Sequence, residues 1–125
     1  MEIKIKAIGY VKNDFDRAER NQADSIMRSV STIEVLDEFA DGLYKIENYK
    51  ELNILFHFNR SEGFDLQTTT HSGDFRGVFA CCSPRRPNGI GLTRVVLLER
   101  RGNILKVTGL DALNNTPVID IKPVI

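Results

Sequence analysis

The amino-acid sequence predicts an all-β, mainly antiparallel domain, a small closed or nearly closed barrel of about six or seven strands with one short helix. Three observations predict it. Short apolar runs alternate with polar residues at a period of two, the mark of half-buried strands. Glycine, proline and asparagine turn signals separate these runs at short intervals, as in small barrels and sandwiches. No strand alternates with a long helical pattern, which argues against a parallel, doubly wound sheet. At 125 residues the chain fits one domain, 1–125, with enough length for one hydrophobic core.

The elements follow in order. Ile3, Ile5 and Ala7 alternate with Lys4 and Lys6, and the run continues to Val11, which predicts a half-buried first strand. Lys12 to Arg28 is polar and reads as a loop of a length that is usually functional. Ser31 to Leu36 is a second strand with Ile33 and Val35 on one face. Phe39, Leu43 and Ile46 then fall at helical spacing, predicting one short helix within Asp37 to Tyr49, although Gly42 sits inside it. Leu52 to Phe58 reads as a core strand buried on most of both faces, and Ser61 to Gly73 as a polar loop. Arg76 to Cys82 is predicted as a strand that runs into Ser83-Pro84-Arg85-Arg86-Pro87-Asn88-Gly89, where two prolines forbid regular structure. Ile90 to Glu99, a turn at Arg100 to Asn103, and Ile104 to Gly109 form a hairpin. Asn114-Asn115 is a turn, and Val118 to Ile121 a last strand.

Composition narrows the function. Lys plus Arg and Asp plus Glu both number 17, so the total charge gives nucleic-acid binding no support and leaves it to a local patch. The two cysteines, Cys81 and Cys82, are adjacent, a poor chelate and a poor disulfide if they lie on a strand, and read as small buried or half-buried residues. With His57 and His71 they lack zinc-ligand spacing, so no metal site is expected. No apolar run has the roughly 18 residues that a membrane span needs, and the N-terminus lacks a signal-peptide pattern, so a cytoplasmic location is expected. Nucleotide-cradling glycine loops and catalytic triads are absent as patterns.

Two segments stand apart. One is Arg76-Gly77-Val78-Phe79-Ala80 with Ser83-Pro84, Arg86-Pro87-Asn88 and Ile90-Gly91-Leu92; the other runs from Leu110 to Pro123. Alone, either reads as the tight corners of a barrel; as a long ordered pair, they suggest rigid loops holding a polar constellation. Together they resemble the signature of the TrmO (TsaA/YaeB-like) family, in a short single-domain form. That family carries Gly-Val-Phe-Ala-Thr-Arg-Ser-Pro-x-Arg-Pro-Asn-Pro-Ile-Gly, then Asp-x-x-Asp-Gly-Thr-Pro-Val-x-Asp-Ile-Lys-Pro. Ile8-Gly9-Tyr10-Val11 and Leu52 to Phe58 look like further family segments. This chain differs in having Cys81-Cys82 for Thr-Arg, Gly89 for Pro, Asn114-Asn115 for Asp-Gly, and Lys50-Glu51 for the Ser-His before the core strand.

The resemblance implies a homodimeric β-barrel that binds S-adenosyl-L-methionine and methylates the exocyclic nitrogen of threonylcarbamoyl-adenosine beside the anticodon of tRNA. Carried over, it places cofactor contacts at Asn21, Gln22 and Ala23, at Asn59 and Arg60, at Cys82 and Leu92, and at Asp111, Ala112, Leu113 and Asn114. Asp111 suits hydrogen bonds from ribose hydroxyls or an amino group, and Leu92 an apolar cover for adenine. Asp111 and Asp120 are equally at home as turn or cap residues. Arg85 and Arg86, with Arg76 and Arg94 nearby, gather cations around the Pro-rich loop and are the expected substrate-binding residues; Arg86 alternatively bonds local carbonyls to orient the loop. Methyl transfer is an in-line displacement governed by positioning, so no catalytic base is singled out. Two other functions remain open: a methyltransferase of the same fold acting on a small molecule, and a non-enzymatic module that binds S-adenosylmethionine.

Overall fold

The computed structural model describes residues 1–15 and 29–125. Six antiparallel strands close into a barrel: β1 (Gly9–Lys12), β2 (Val30–Val35), β3 (Glu51–His57), β6 (Ile90–Arg101), β7 (Ile104–Thr108) and β8 (Pro117–Pro123). Their order around the barrel is β1-β2-β7-β6-β3-β8. A separate hairpin, β4 (Gln67–Thr69) with β5 (Phe75–Gly77), stands outside it.

Period-two alternation builds the interior. Val11, Ile33, Val35, Leu52, Ile54, Phe56, Val95, Leu105, Val107 and Val118 all point inward and are buried. β6 is long enough to serve two neighbours. Its first half pairs with β3 from Glu51↔Val96 to His57↔Ile90, and its second half with β7. Two glycines permit close approaches. A Cβ on Gly9 would lie 2.5 Å from the Glu34 carbonyl oxygen, so β1 meets β2 only because Gly9 has none. A Cβ on Gly91 would lie 2.5 Å from the Phe56 ring and 2.9 Å from the Phe58 ring. That space lets the two rings meet edge to face, with centroids 5.3 Å apart.

Several elements differ from their sequence reading. β1 starts only at Gly9, and residues 1–7 belong to neither sheet. Among the described residues nothing lies beside them to pair with, since β2 ends opposite Gly9 and β8 pairs with β1 only at Pro117 and Val118. The expected helix is instead two 3-10 segments, Asp37–Leu43 and Ile46–Asn48. Lys45, at φ 69°, breaks the run between them, while Leu43 is buried and Phe39 and Ile46 pack on the core. The expected strand at Arg76 to Cys82 stops at Gly77 and becomes a 3-10 turn, Val78–Ala80, pinned by buried Val78. The polar run read as a loop contains β4, and its threonines favour extended backbone. Along β3 only Leu52, Ile54 and Phe56 are buried; Asn53, Leu55 and His57 are half-buried. Cys81 is half-buried and Cys82 exposed, both as free thiols. Among the described residues no helix is long and apolar enough to cross a membrane, and no three His, Cys, Asp or Glu side chains gather as a metal site.

Candidate functional site

At one end of the barrel, the end of β3, the Pro-rich loop and the β7–β8 connection enclose a cleft of about 360 Å³, within the range of small-molecule sites. β3 and the residues beyond it contribute Phe56, Phe58, Asn59, Arg60 and Ser61; the Pro-rich loop contributes Pro84 and Arg85; the connection contributes Asp111, Ala112, Leu113 and Thr116.

The connection is positioned by its own alternation. Leu110 and Ala112 are buried in the core, so Asp111 between them is turned outward. The Thr93 hydroxyl donates to Asp111 Oδ1 at 2.6 Å, which fixes the carboxylate while leaving its second oxygen for a ligand. Behind the connection stands Asn13. Its side-chain amide donates to the Ala112 carbonyl at 2.9 Å and to the buried Ser31 hydroxyl at 3.1 Å, and its Oδ1 accepts from the Phe15 amide at 2.9 Å. The Asn13 backbone amide donates to Asn114 Oδ1 at 3.0 Å, and Arg60 donates to the Asn114 carbonyl at 2.9 Å. Asn115, at φ 69°, makes the turn, with its amide donating to the Val11 carbonyl.

The Pro-rich loop is held as firmly. Arg86 Nη1, expected at the substrate or alternatively on local carbonyls, donates to the Cys81 and Ser83 carbonyls, both at 3.0 Å. Arg85 Nε bonds Asp65 at 3.1 Å and its Nη1 the Glu62 carbonyl at 2.6 Å, tying the loop to the segment before β4. The Phe58 amide donates to the Gly89 carbonyl at 2.8 Å, so the two walls of the cleft are joined at their base.

Thus Asn59, Arg60, Asp111, Ala112, Leu113 and Arg85 come together around the cleft. Asn114 lies behind it as a brace, Cys82 is exposed on the Pro-rich loop, and Leu92, 66% exposed, lies on the outer barrel face opposite Leu55. Asn21, Gln22 and Ala23 fall outside the described residues. Sequence reasoning missed Phe56 and Phe58 as cleft walls, Thr93 as the partner of Asp111, and Asn13 as the central brace. For Asn13 the only available signal was its place directly after a strand.

The family described as the tRNA-methyltransferase O N-terminal domain matches residues 11–125. The chain belongs to this family. A curated relative, the S-adenosyl-L-methionine-binding protein of Archaeoglobus fulgidus, is 42% identical over 120 residues, covering 94% of this chain and 86% of the relative. The human tRNA (adenine(37)-N6)-methyltransferase is 37% identical over 88 residues, covering 67% of this chain and 20% of that protein. The crystal structure of TrmO from Pseudomonas aeruginosa superposes with a TM-score of 0.80 at 30% identity, covering all of this chain and 57% of that one. The chain spans 34% and 56% of the length of two further curated relatives.

Proposed function

We propose that the cleft binds S-adenosyl-L-methionine and that the domain transfers its methyl group to N6 of adenine 37 in tRNA, with threonylcarbamoyl-adenosine as the acceptor base. One observation carries this reading: residues from the end of β3 and from the Leu110 to Asn114 connection, distant in sequence, converge on one cleft. The donor set suits the cofactor. Phe56, Phe58, Pro84, Ala112 and Leu113 give an apolar bed of the kind an adenine ring occupies, and Asn59 and Asp111 give polar contacts for ribose hydroxyls or an ammonium group.

When bound, S-adenosylmethionine supplies an electrophilic methyl group on a sulfonium. The chain's residues provide position. Asp111, fixed by Thr93, would hold the cofactor's polar end. Arg60 and Asn13 keep the connection from moving away. Arg86 holds the Pro-rich loop as the opposite wall. Fixing both sides of an in-line displacement contributes through proximity and orientation, and the acceptor nitrogen need lose its proton only late.

Calorimetry with S-adenosylmethionine and with its demethylated product tests the cofactor claim; no heat and no thermal shift with either removes it. Nucleoside mass spectrometry of tRNA incubated with the protein and cofactor tests the acceptor. A gain of one methyl on the threonylcarbamoyl-adenosine nucleoside supports the finer claim, and methylation of adenine alone leaves the coarser one. We further propose that the chain works as a cytoplasmic homodimer, which sedimentation velocity tests for its pairing.

A further inference from the structure

An RNA acceptor would meet a chain with equal numbers of acidic and basic residues, so bulk charge attraction supplies little of its affinity. Stacking of bases on aromatic rings is a contact that needs no net charge. The β4–β5 hairpin carries a ring suited to it. Phe75 is 67% exposed, faces Thr69 across the ladder, and has a glycine two residues before it and another two residues after it, Gly73 and Gly77. Among the described residues, a Cβ on Gly73 would meet nothing within 4 Å, and one on Gly77 only the Leu66 carbonyl oxygen at 3.8 Å. The ring therefore stands clear along its strand, where larger side chains would have lain against it.

Alternation puts Gln67 and Thr69 on the same face of the hairpin as Phe75, and Leu66, Thr68 and Arg76 on the other. One open ring among an amide, a hydroxyl and glycines offers a nucleobase a π face together with hydrogen bonds for its edge. A protein partner would instead need a contiguous apolar area, and Leu66 lies on the wrong face to extend one. The hairpin is also tied to the cleft. Arg85, which lines the cleft, bonds Asp65 and the Glu62 carbonyl, and from Asp65 to Thr69 is at most about 14 Å of extended chain. We infer that Phe75 stacks on an unpaired base of the RNA that neighbours the methyl acceptor, with Gln67 and Thr69 at the edge of that base. The inference rests on the tRNA reading above and gives it a contact outside the cleft.

Substitution of the ring tests this. Phe75→Ala should lower affinity for tRNA carrying threonylcarbamoyl-adenosine roughly 5- to 150-fold, the range for one stacked base. The salt slope should not change, since no charge is lost. Phe75→Trp keeps a π face and should bind as the wild type does. Neither variant should alter S-adenosylmethionine affinity or melting temperature, because Phe75 is exposed and lies outside the cleft. Titrations at several salt concentrations, sedimentation velocity and nucleoside mass spectrometry read these outcomes. If the wild type methylates tRNA and Phe75→Ala binds it equally well, the stacking site is overturned while the proposed function stands. The same holds if Phe75→Trp loses as much affinity as Phe75→Ala, or if the loss comes with a change in sedimentation, which would make this face a contact between copies. A wild type that neither binds nor methylates tRNA overturns both.

Discussion

Replacing Asn13 asks whether the cleft depends on one side chain outside it. Asn13→Ala removes three side-chain hydrogen bonds, to Ser31, to the Ala112 carbonyl and from the Phe15 amide. Each such bond contributes roughly 0.5–1.5 kcal/mol net, and because Asn13 is only half-buried the lower half of that range applies. The expected loss is therefore about 2 kcal/mol, or about 8 °C of melting temperature at roughly 4 °C per kcal/mol for a domain of this size. Asn13→Asp sharpens the test. It keeps the acceptor for Phe15 and lets the Ser31 hydroxyl turn to donate, but it sets a carboxylate oxygen against the Ala112 carbonyl, which can only accept. The aspartate variant should thus be no more stable than the alanine variant at neutral pH. Because the same bonds hold the Asp111 to Asn114 connection, cofactor affinity should also fall, with about 30-fold as the ceiling that 2 kcal/mol sets. Thermal denaturation and calorimetry read the two quantities. A melting temperature within a degree of wild type, or an aspartate variant more stable than the alanine one, would refute the bracing role.

Three other changes have defined outcomes. Asp111→Ala should weaken S-adenosylmethionine binding by roughly 1.5–3 kcal/mol in calorimetry while the melting temperature stays nearly unchanged; equal affinity would make Asp111 structural. Gly91→Ala drives a methyl group into the Phe56 and Phe58 rings and should cost roughly 1–3 kcal/mol in denaturant unfolding; an unperturbed midpoint would contradict the close approach. Hydrogen bonding from the Arg94 guanidinium, at 2.6 and 3.0 Å, holds the Glu51 carboxyl below the usual carboxylate range. A depressed folded-state value stabilises above the ordinary Glu range and is lost as pH falls beneath it. NMR titration should show Glu51 ionising at higher pH in Arg94→Ala than in wild type, and identical curves would refute the pair.

Legibility followed the range of the interactions. β2, β3, β7 and β8 were readable because each carries its burial pattern within its own few residues. The β4–β5 hairpin was not, since its three-residue strands are mostly exposed and leave no apolar alternation. The N-terminal alternation reads as a half-buried strand because pattern reports amphipathicity and not the presence of a partner. In the cleft, Asp111 to Leu113 and Asn59-Arg60 were legible through the resemblance, which falls on contiguous residues. Asn13 was not, because it meets Ala112 and Asn114 across separations of 99 and 101 residues, and a polar residue after a strand has many other uses.

The arginines around the Pro-rich loop bear on how the proposed RNA acceptor would be met. The sequence gathers four, but Arg76 pairs with Asp74 at 2.8 Å, Arg85 with Asp65 at 3.1 Å and Arg94 with Glu51 at 2.6 Å, while Arg86 bonds two carbonyls. The loop is therefore not a bare cationic patch, in keeping with equal numbers of acidic and basic residues. A phosphate would have to exchange for these partners, and the exchange is unequal. The Arg85–Asp65 pair is exposed on both sides, and such pairs are worth about 0–1 kcal/mol, so a phosphate would take the place of Asp65 at little cost while Nη1 keeps the Glu62 carbonyl. Half-buried Arg86 holds the loop's own backbone, and taking it away releases a wall of the cleft. Arg85→Ala should accordingly lower tRNA affinity and flatten its salt dependence by about one unit. Arg86→Ala should weaken both ligands. Titrations at several salt concentrations separate the roles: an unchanged slope for Arg85→Ala would remove the phosphate contact and favour a small-molecule acceptor, and unchanged cofactor affinity for Arg86→Ala would show that the loop holds its shape without it.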